Sequence, residues 1–559
     1  MIYPTWFGPP AKPLFGMLHV PERKEARGGV VICPPLGREH VTTYRGVKQL
    51  AERLCASGLV VLRFDYAGTG DSFGDQQTPN AAAEWISNIG MALDYLHCSG
   101  VQEVALAGLR AGALLAALAS REHSNLRGLA LWDPVRQGRQ YVREQRATQR
   151  LVSQGSTAET DVECTELLGC ILHNSTLAQL NDMDLAAALD GIEIPVLMAL
   201  RAPSTPDEWP SSEAENRNLS HLLLEDHESF VSPSSFIFQV PTAAIASLAN
   251  AIQAWFGTEF SAINPALRTE AIYQTAPGIM IRETLAFHSK GLFSICNAPL
   301  ETNANTNSVV FHGTATEHRI GPVRLWTESA RQLATQGIRS YRFDLQGVGD
   351  SGSVSNNEST PSYTQRARQD SITFVQSIAI PPSHLIMTGV CSGAWHSAYV
   401  ARKIGARAVI LVSLADWSIE QRPKIRRAHI DAMQSPVATR LFELARVIRN
   451  GIRKVQKHIP YSAWLLLGKC GLVQAPELLL QQLWRKQIAT TVMLTPDDEQ
   501  WFIAHRGPDG LHRLRKEHYP GTIIVQTEGD HSLYGCKIRK LAHQLVMEKV
   551  AESFHNAAS

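Results

Sequence analysis

The chain has 559 residues, 44% hydrophobic and 19% charged, with 53 Lys and Arg against 52 Asp and Glu. That length implies two or more domains, and the balanced composition excludes extensive disorder. A formal charge of +1 argues against a dedicated nucleic-acid binder. In chain order, GGVVIC (28–33) reads as a buried strand and YRGVKQLAERLCASG (44–58) as a helix closing at glycine. LVVLRFDY (59–66) is the next strand, followed by a glycine-rich turn, the helix 81–100 and the strand VALAG (104–108). The same order returns as SVVFHG (308–313), ESARQLATQG (328–337), RSYRFDL (339–345), the helix 363–379 and HLIMTG (384–389). Such alternation implies a mostly parallel sheet with helices on both faces.

The recurrence extends to the residues themselves. LFGMLHVPE (14–22) matches LFSICNAPL (292–300), and LAERLCASGLVVLRFDYAGTGDS (50–72) matches SARQLATQGIRSYRFDLQGVGDS (329–351). The period is too long for a solenoid, so the chain reads as a tandem duplication with domains over 1–260 and 265–559, joined within GTEFSAINPALRTE (257–270).

After VALA comes Gly108-Leu109-Arg110-Ala111-Gly112, and after LIMT comes Gly389-Val390-Cys391-Ser392-Gly393. Both are G-x-nucleophile-x-G turns between a strand and a helix, which hold the central side chain at the top of the sheet. With CPPLGREH, VLRFDYAGTGDS and LWDPVRQGRQY in the first half, and FHGTATEHR and YRFDLQGVGDS in the second, the chain resembles the α/β-hydrolase superfamily. The likeness is strongest to serine-aminopeptidase-like and exosortase-system-associated hydrolases. It implies two tandem α/β-hydrolase domains, each with a helical lid insertion. Neither elbow has the serine those families use. The second has Cys391, as dienelactone hydrolases and polyhydroxyalkanoate synthases do, and the first has Arg110. A guanidinium stays protonated and cannot attack, so the first site is expected to be degenerate. At a helix N-terminus a cysteine thiolate is favoured, and the thiolate is the attacking species.

The superfamily order of nucleophile, acid and histidine assigns His531, in GTIIVQTEGDHSLYG, as the base. It assigns Asp498 as the orienting acid, with the adjacent Asp497 as an alternative. The oxyanion donors are expected to be the backbone N–H groups of Ser392 and Thr314. Ser392 is not assigned as nucleophile because it lies one place off the apex. In the first half the matching frame is Arg110, Asp207 and His227, with His227 either a relic of a lost triad or a surface residue in an acidic loop.

Substrate choice in this fold comes from the lid, here about 415–486, which carries thirteen Lys and Arg against five Asp and Glu. Either this is a solvated helical face or it steers an anionic partner. The expected function is a cysteine-dependent acyltransferase or thioesterase acting through an acyl-Cys intermediate. Its substrate would be an acyl thioester of coenzyme A or an acyl carrier protein. The alternatives are a non-catalytic scaffold of pseudo-hydrolase domains, or an ester hydrolase or peptidase. AWLLLG (463–468) is either acyl-pocket lining or lid core.

The nine cysteines include no Cys-x-x-Cys pair, which fits a reducing compartment. There is no phosphate loop or zinc spacing, so neither cofactor nor metal is expected. MIYPTWFGPPAKPLFG lacks the features of a signal peptide, and no apolar run reaches a membrane span of roughly 18 residues. A cytoplasmic protein without nucleic-acid or membrane contact is expected.

Overall fold

The computed structural model describes residues 1–555 except 124, 154–162, 202–217, 226–227, 232–239, 276–277, 304–305, 315–316, 353–362, 421–458 and 527. The chain forms two compact units. The first contains 1–306, 316–360 and 533–543, and the second contains 307–315, 361–532 and 544–559.

In the first unit, eight strands form one sheet: β1 (Ile2–Phe7), β2 (Leu14–His19), β3 (Gly29–Cys33), β4 (Val60–Phe64), β5 (Val104–Leu109), β6 (Leu126–Trp132), β7 (Val196–Arg201) and β8 (Leu219–Leu224). Their order is β1-β2-β4-β3-β5-β6-β7-β8. The β1–β2 and β2–β4 pairs are antiparallel and the rest parallel. The central strands are buried along their whole length, which is why they read as unbroken apolar runs. Alternation then divides their side chains. Val31, Leu62, Leu106 and Met198 pack under the helices Ala81–Cys98 and Ala111–Ser120, while Val30, Val61, Ala107 and Ala199 pack under Gly37–Ala56 and Thr242–Gln253.

The helix Gly37–Ala56 starts seven residues earlier than the sequence pattern suggests. Thr42 and Thr43, in the added turns, return their hydroxyls to the Glu39 carbonyl at 3.2 and 2.7 Å and so tolerate the helical backbone.

The second half repeats the plan. Its antiparallel strands β9 (Glu270–Gln274), β10 (Met280–His288), β11 (Leu292–Pro299) and β13 (Arg339–Phe343) lie in the first unit and pair in that order. In the second unit, β12 (Ser308–His312), β14 (Leu385–Val390), β15 (Ala408–Val412), β16 (Ala489–Leu494) and β17 (Thr522–Val525) form a parallel run. Each half thus has a mixed, mostly parallel sheet flanked by helices, and the fold is two tandem α/β-hydrolase domains. No helix among the described residues is long and apolar enough to cross a membrane.

The matched F-D-x-x-G-x-G-D-S segments have the same conformation. Asp65 accepts from the Asp71 N–H at 2.8 Å, and Asp344 accepts from the Asp350 N–H at 2.9 Å. Gly70 and Gly349, at φ +49° and +51°, bring the backbone so close that a Cβ would lie 2.0 and 2.1 Å from those carboxylates. Within the first unit the two turns meet. Arg319, fully buried, pairs with Asp71 at 2.8 Å, Asp344 at 2.7 Å and Asp350 at 3.0 Å, and lies over the rings of Phe15 and Phe293.

Candidate active site

Both elbows are built alike. Arg110 and Cys391 cap the helices Ala111–Ser120 and Ser392–Ile404 with φ/ψ of 53°/−121° and 54°/−115°, a region that costs a non-glycine residue energy. Each backbone N–H donates sideways into the sheet, from Arg110 to the Trp132 carbonyl and from Cys391 to the Val412 carbonyl, both at 3.0 Å. The flanking glycines are required by close approach. A Cβ on Gly112 would sit 2.3 Å from the Pro34 carbonyl oxygen, and one on Gly393 would sit 2.5 Å from that of His312. The latter approach brings the first turn of the helix Ser392–Ile404 against the loop carrying the half-buried Thr314.

In the second unit Cys391, His531 and Asp498 come together. His531 Nδ1 lies 2.7 Å from Asp498 Oδ1, and the Cys391 side chain is a hydrogen-bond partner of the imidazole. Asp498 is buried in the first turn of the helix Pro496–Ala504. Its Oδ2 accepts from the Thr495 hydroxyl at 2.6 Å and the Thr495 N–H at 3.3 Å, which leaves Oδ1 for the histidine. Asp497, the other carboxylate considered, is exposed on the same turn. Burial works against a charged His531, but the hydrogen bonds to Asp498 and Cys391 outweigh it and its pKa is pushed up to about 11. Ser392 is buried at the first position of the helix Ser392–Ile404. Beneath it His312 Nδ1 lies 2.9 Å from the Ser397 hydroxyl.

The first site is filled with charge. Arg110, only 8% exposed, donates to Glu39 Oε1 at 3.1 Å and to Asp133 Oδ2 at 3.5 Å. Glu39 also accepts from Tyr141 at 3.4 Å and Gln145 at 3.3 Å, and Arg201 pairs with Asp133 at 3.3 Å. Burial pushes the Glu39 carboxyl up against the pull of Arg110, and the two carboxylates hold Arg110 protonated against the same burial. The guanidinium is thus satisfied within the protein. Glu39, Asp133 and Tyr141 carry no spacing signal and were not legible as partners of Arg110. Asp207 and His227 lie outside the described residues.

So does most of the basic lid, 421–458. In its described part Trp464 and Leu465 pack with Ala475 and Leu478, so these two residues of AWLLLG are lid core, while Leu466 is exposed. No group of acidic, histidine and cysteine side chains suited to a metal occurs among the described residues.

No family model matches the chain, and no curated protein matches it. Among solved structures it is similar to Est1E from Butyrivibrio proteoclasticus with ferulic acid bound, at 19% identity and a TM-score of 0.34, covering 44% of this chain and 99% of that one. A proline iminopeptidase from Mycobacterium smegmatis matches at 15% identity and a TM-score of 0.31, covering 45% and 99%. The esterase domain of a Rhodothermus marinus protein matches at 14% identity and a TM-score of 0.33, covering 46% and 97%.

Proposed function

We propose that the second half is an acyl hydrolase or acyltransferase that works through an acyl-Cys391 intermediate, with an acyl thioester of coenzyme A or a carrier protein as donor. The observation that carries this reading is the ordered chain of contacts from Asp498 through His531 to the thiol at a strained elbow. An imidazole oriented by a carboxylate beside a cysteine is the arrangement that activates a thiol for attack. The Cys391 thiolate attacks the carbonyl carbon, and the carbonyl π electrons move onto oxygen. In this reading the N–H groups of Ser392 and Thr314 receive that oxyanion. As the intermediate collapses, the bond to the departing sulfur breaks and His531 Nε2 gives that thiolate its proton. In the second stage His531 takes a proton from water or an acceptor alcohol or amine, whose oxygen or nitrogen displaces the Cys391 sulfur. Asp498 fixes the ring through Nδ1 and stabilises its charged form. The basic composition of 415–486 suits the anionic leaving group of such a donor.

The first half, with Arg110 neutralised by Glu39 and Asp133, forms no acyl-enzyme in this reading. The test is the rate of Cys391 alkylation by iodoacetamide between pH 5 and 9. The wild type is expected to react with little loss down to pH 6, and His531→Ala to lose rate as pH falls. A wild-type rate that drops tenfold per pH unit below about 8.5, as a free thiol does, overturns the reading.

A further inference from the structure

Two residues past His531, the chain enters the first unit at 533–543, where it is gripped by the first half. The Cys536 N–H donates to Glu166 Oε1 at 2.6 Å. Gln149 Nε2 bridges Glu166 Oε2 at 3.2 Å and the Tyr534 carbonyl at 3.1 Å. The Arg38 guanidinium lies 5.5 Å from the Tyr534 ring centre. Tyr534 and Cys536 are also buried in an apolar cluster with Cys164, Leu168 and Ile171 of the first half's 164–173 hairpin. From the other side, the Tyr534 hydroxyl donates to Glu317 Oε1 at 2.9 Å, and Glu317 lies three residues beyond Thr314.

We propose that the first half, which has no nucleophile, acts as the positioning element of the second half's chemistry, with Glu166 as its central residue. Glu166 holds the backbone of 534–536 and so fixes where the preceding loop can carry His531. None of these groups touches the substrate. They act by limiting the freedom of His531, and a displacement of a catalytic group by about 1 Å costs on the order of 100-fold in rate. The inference rests on the proposed role of Cys391 and His531.

The test compares full-length wild type with Glu166→Ala, Glu166→Gln and the control Glu163→Ala, whose side chain in the same segment is 78% exposed. The readouts are Cys391 alkylation from pH 5 to 9, kcat and KM on a small acyl-CoA, and the melting temperature. Glu166→Ala is expected to lower kcat and the pH 6 alkylation rate by about 10–100-fold with KM within about twofold. Glu166→Gln keeps the acceptor for the Cys536 N–H and is expected to recover most of both, and Glu163→Ala to match wild type. A reactive wild type with an unchanged Glu166→Ala profile overturns the inference alone. So does a loss that Glu166→Gln shares in full and that follows the melting temperature. An unreactive Cys391 in the wild type overturns the proposed function and the inference together.

Discussion

Arg63 donates to Asp350 Oδ1 at 2.6 Å, and its repeat counterpart Arg342 donates to Asp71, the counterpart of Asp350. The contact is made twice, once in each direction, and both copies are fully or almost fully buried. Reciprocal pairing of one surface with its own copy is the signature of a two-fold homodimer interface. Phe15 and its counterpart Phe293 continue it, with ring centres 6.0 Å apart. Within the first unit the matched segments of the two repeats therefore meet reciprocally.

Breaking one member of this network leaves a buried charge unpaired. Arg63→Met is expected to cost about 3–5 kcal/mol in denaturant unfolding, and Arg342→Met a similar amount. Burial opposes the Asp350 carboxylate, but Arg63, Arg319 and Lys48 hold it below the ordinary carboxylate range. Adding Asp350→Asn to Arg63→Met should therefore recover part of the loss.

Much of this was legible in the sequence, and the gaps have physical causes. The elbows at Arg110 and Cys391 could be read because a sharp strand-to-helix turn demands glycines at fixed short spacing. Asp497 and Asp498 could not be separated, because both occupy the first turn of one helix and only the Thr495 cap orients one of them towards His531. Arg63 and Asp350 were visible as matched residues but not as partners, because 287 positions separate them. The ties of Glu39 to Arg110 and of Glu166 to Cys536 are likewise products of tertiary packing.

The two carboxylates beside His531 should behave differently. Asp498→Asn removes the charge that stabilises the imidazolium and is expected to lower thioester turnover about 10³–10⁴-fold. Asp497→Asn should stay within about twofold of wild type. Steady-state kinetics on one acyl-CoA compares them.

His531 carries a pH signature in stability. Its folded pKa, about 11, is above the unfolded value of about 6.5. Its contribution is therefore complete below pH 6.5 and is lost as pH rises through 11. The unfolding free energy of wild type relative to His531→Gln should fall steadily between pH 7 and 11, and a flat difference would contradict the assignment.

At the first elbow, Arg110→Met strands Glu39 in a buried site and is expected to cost about 3–5 kcal/mol, with Glu39→Gln restoring part of it. Arg110→Ser should not create a nucleophile, because among the described residues the side chains that contact this position are the carboxylates Glu39 and Asp133. Labelling with a serine-directed fluorophosphonate checks this.

The central claim is covalent acyl transfer to Cys391. Intact-protein mass spectrometry after incubation with a panel of acyl-CoA and acyl-carrier-protein thioesters tests it most directly. The account predicts a single acyl adduct on wild type, absent from Cys391→Ala and long-lived in His531→Ala if any forms there. No adduct and no turnover with any donor, together with a thiol that iodoacetamide does not find at pH 6, would contradict it and leave a non-catalytic pair of hydrolase folds.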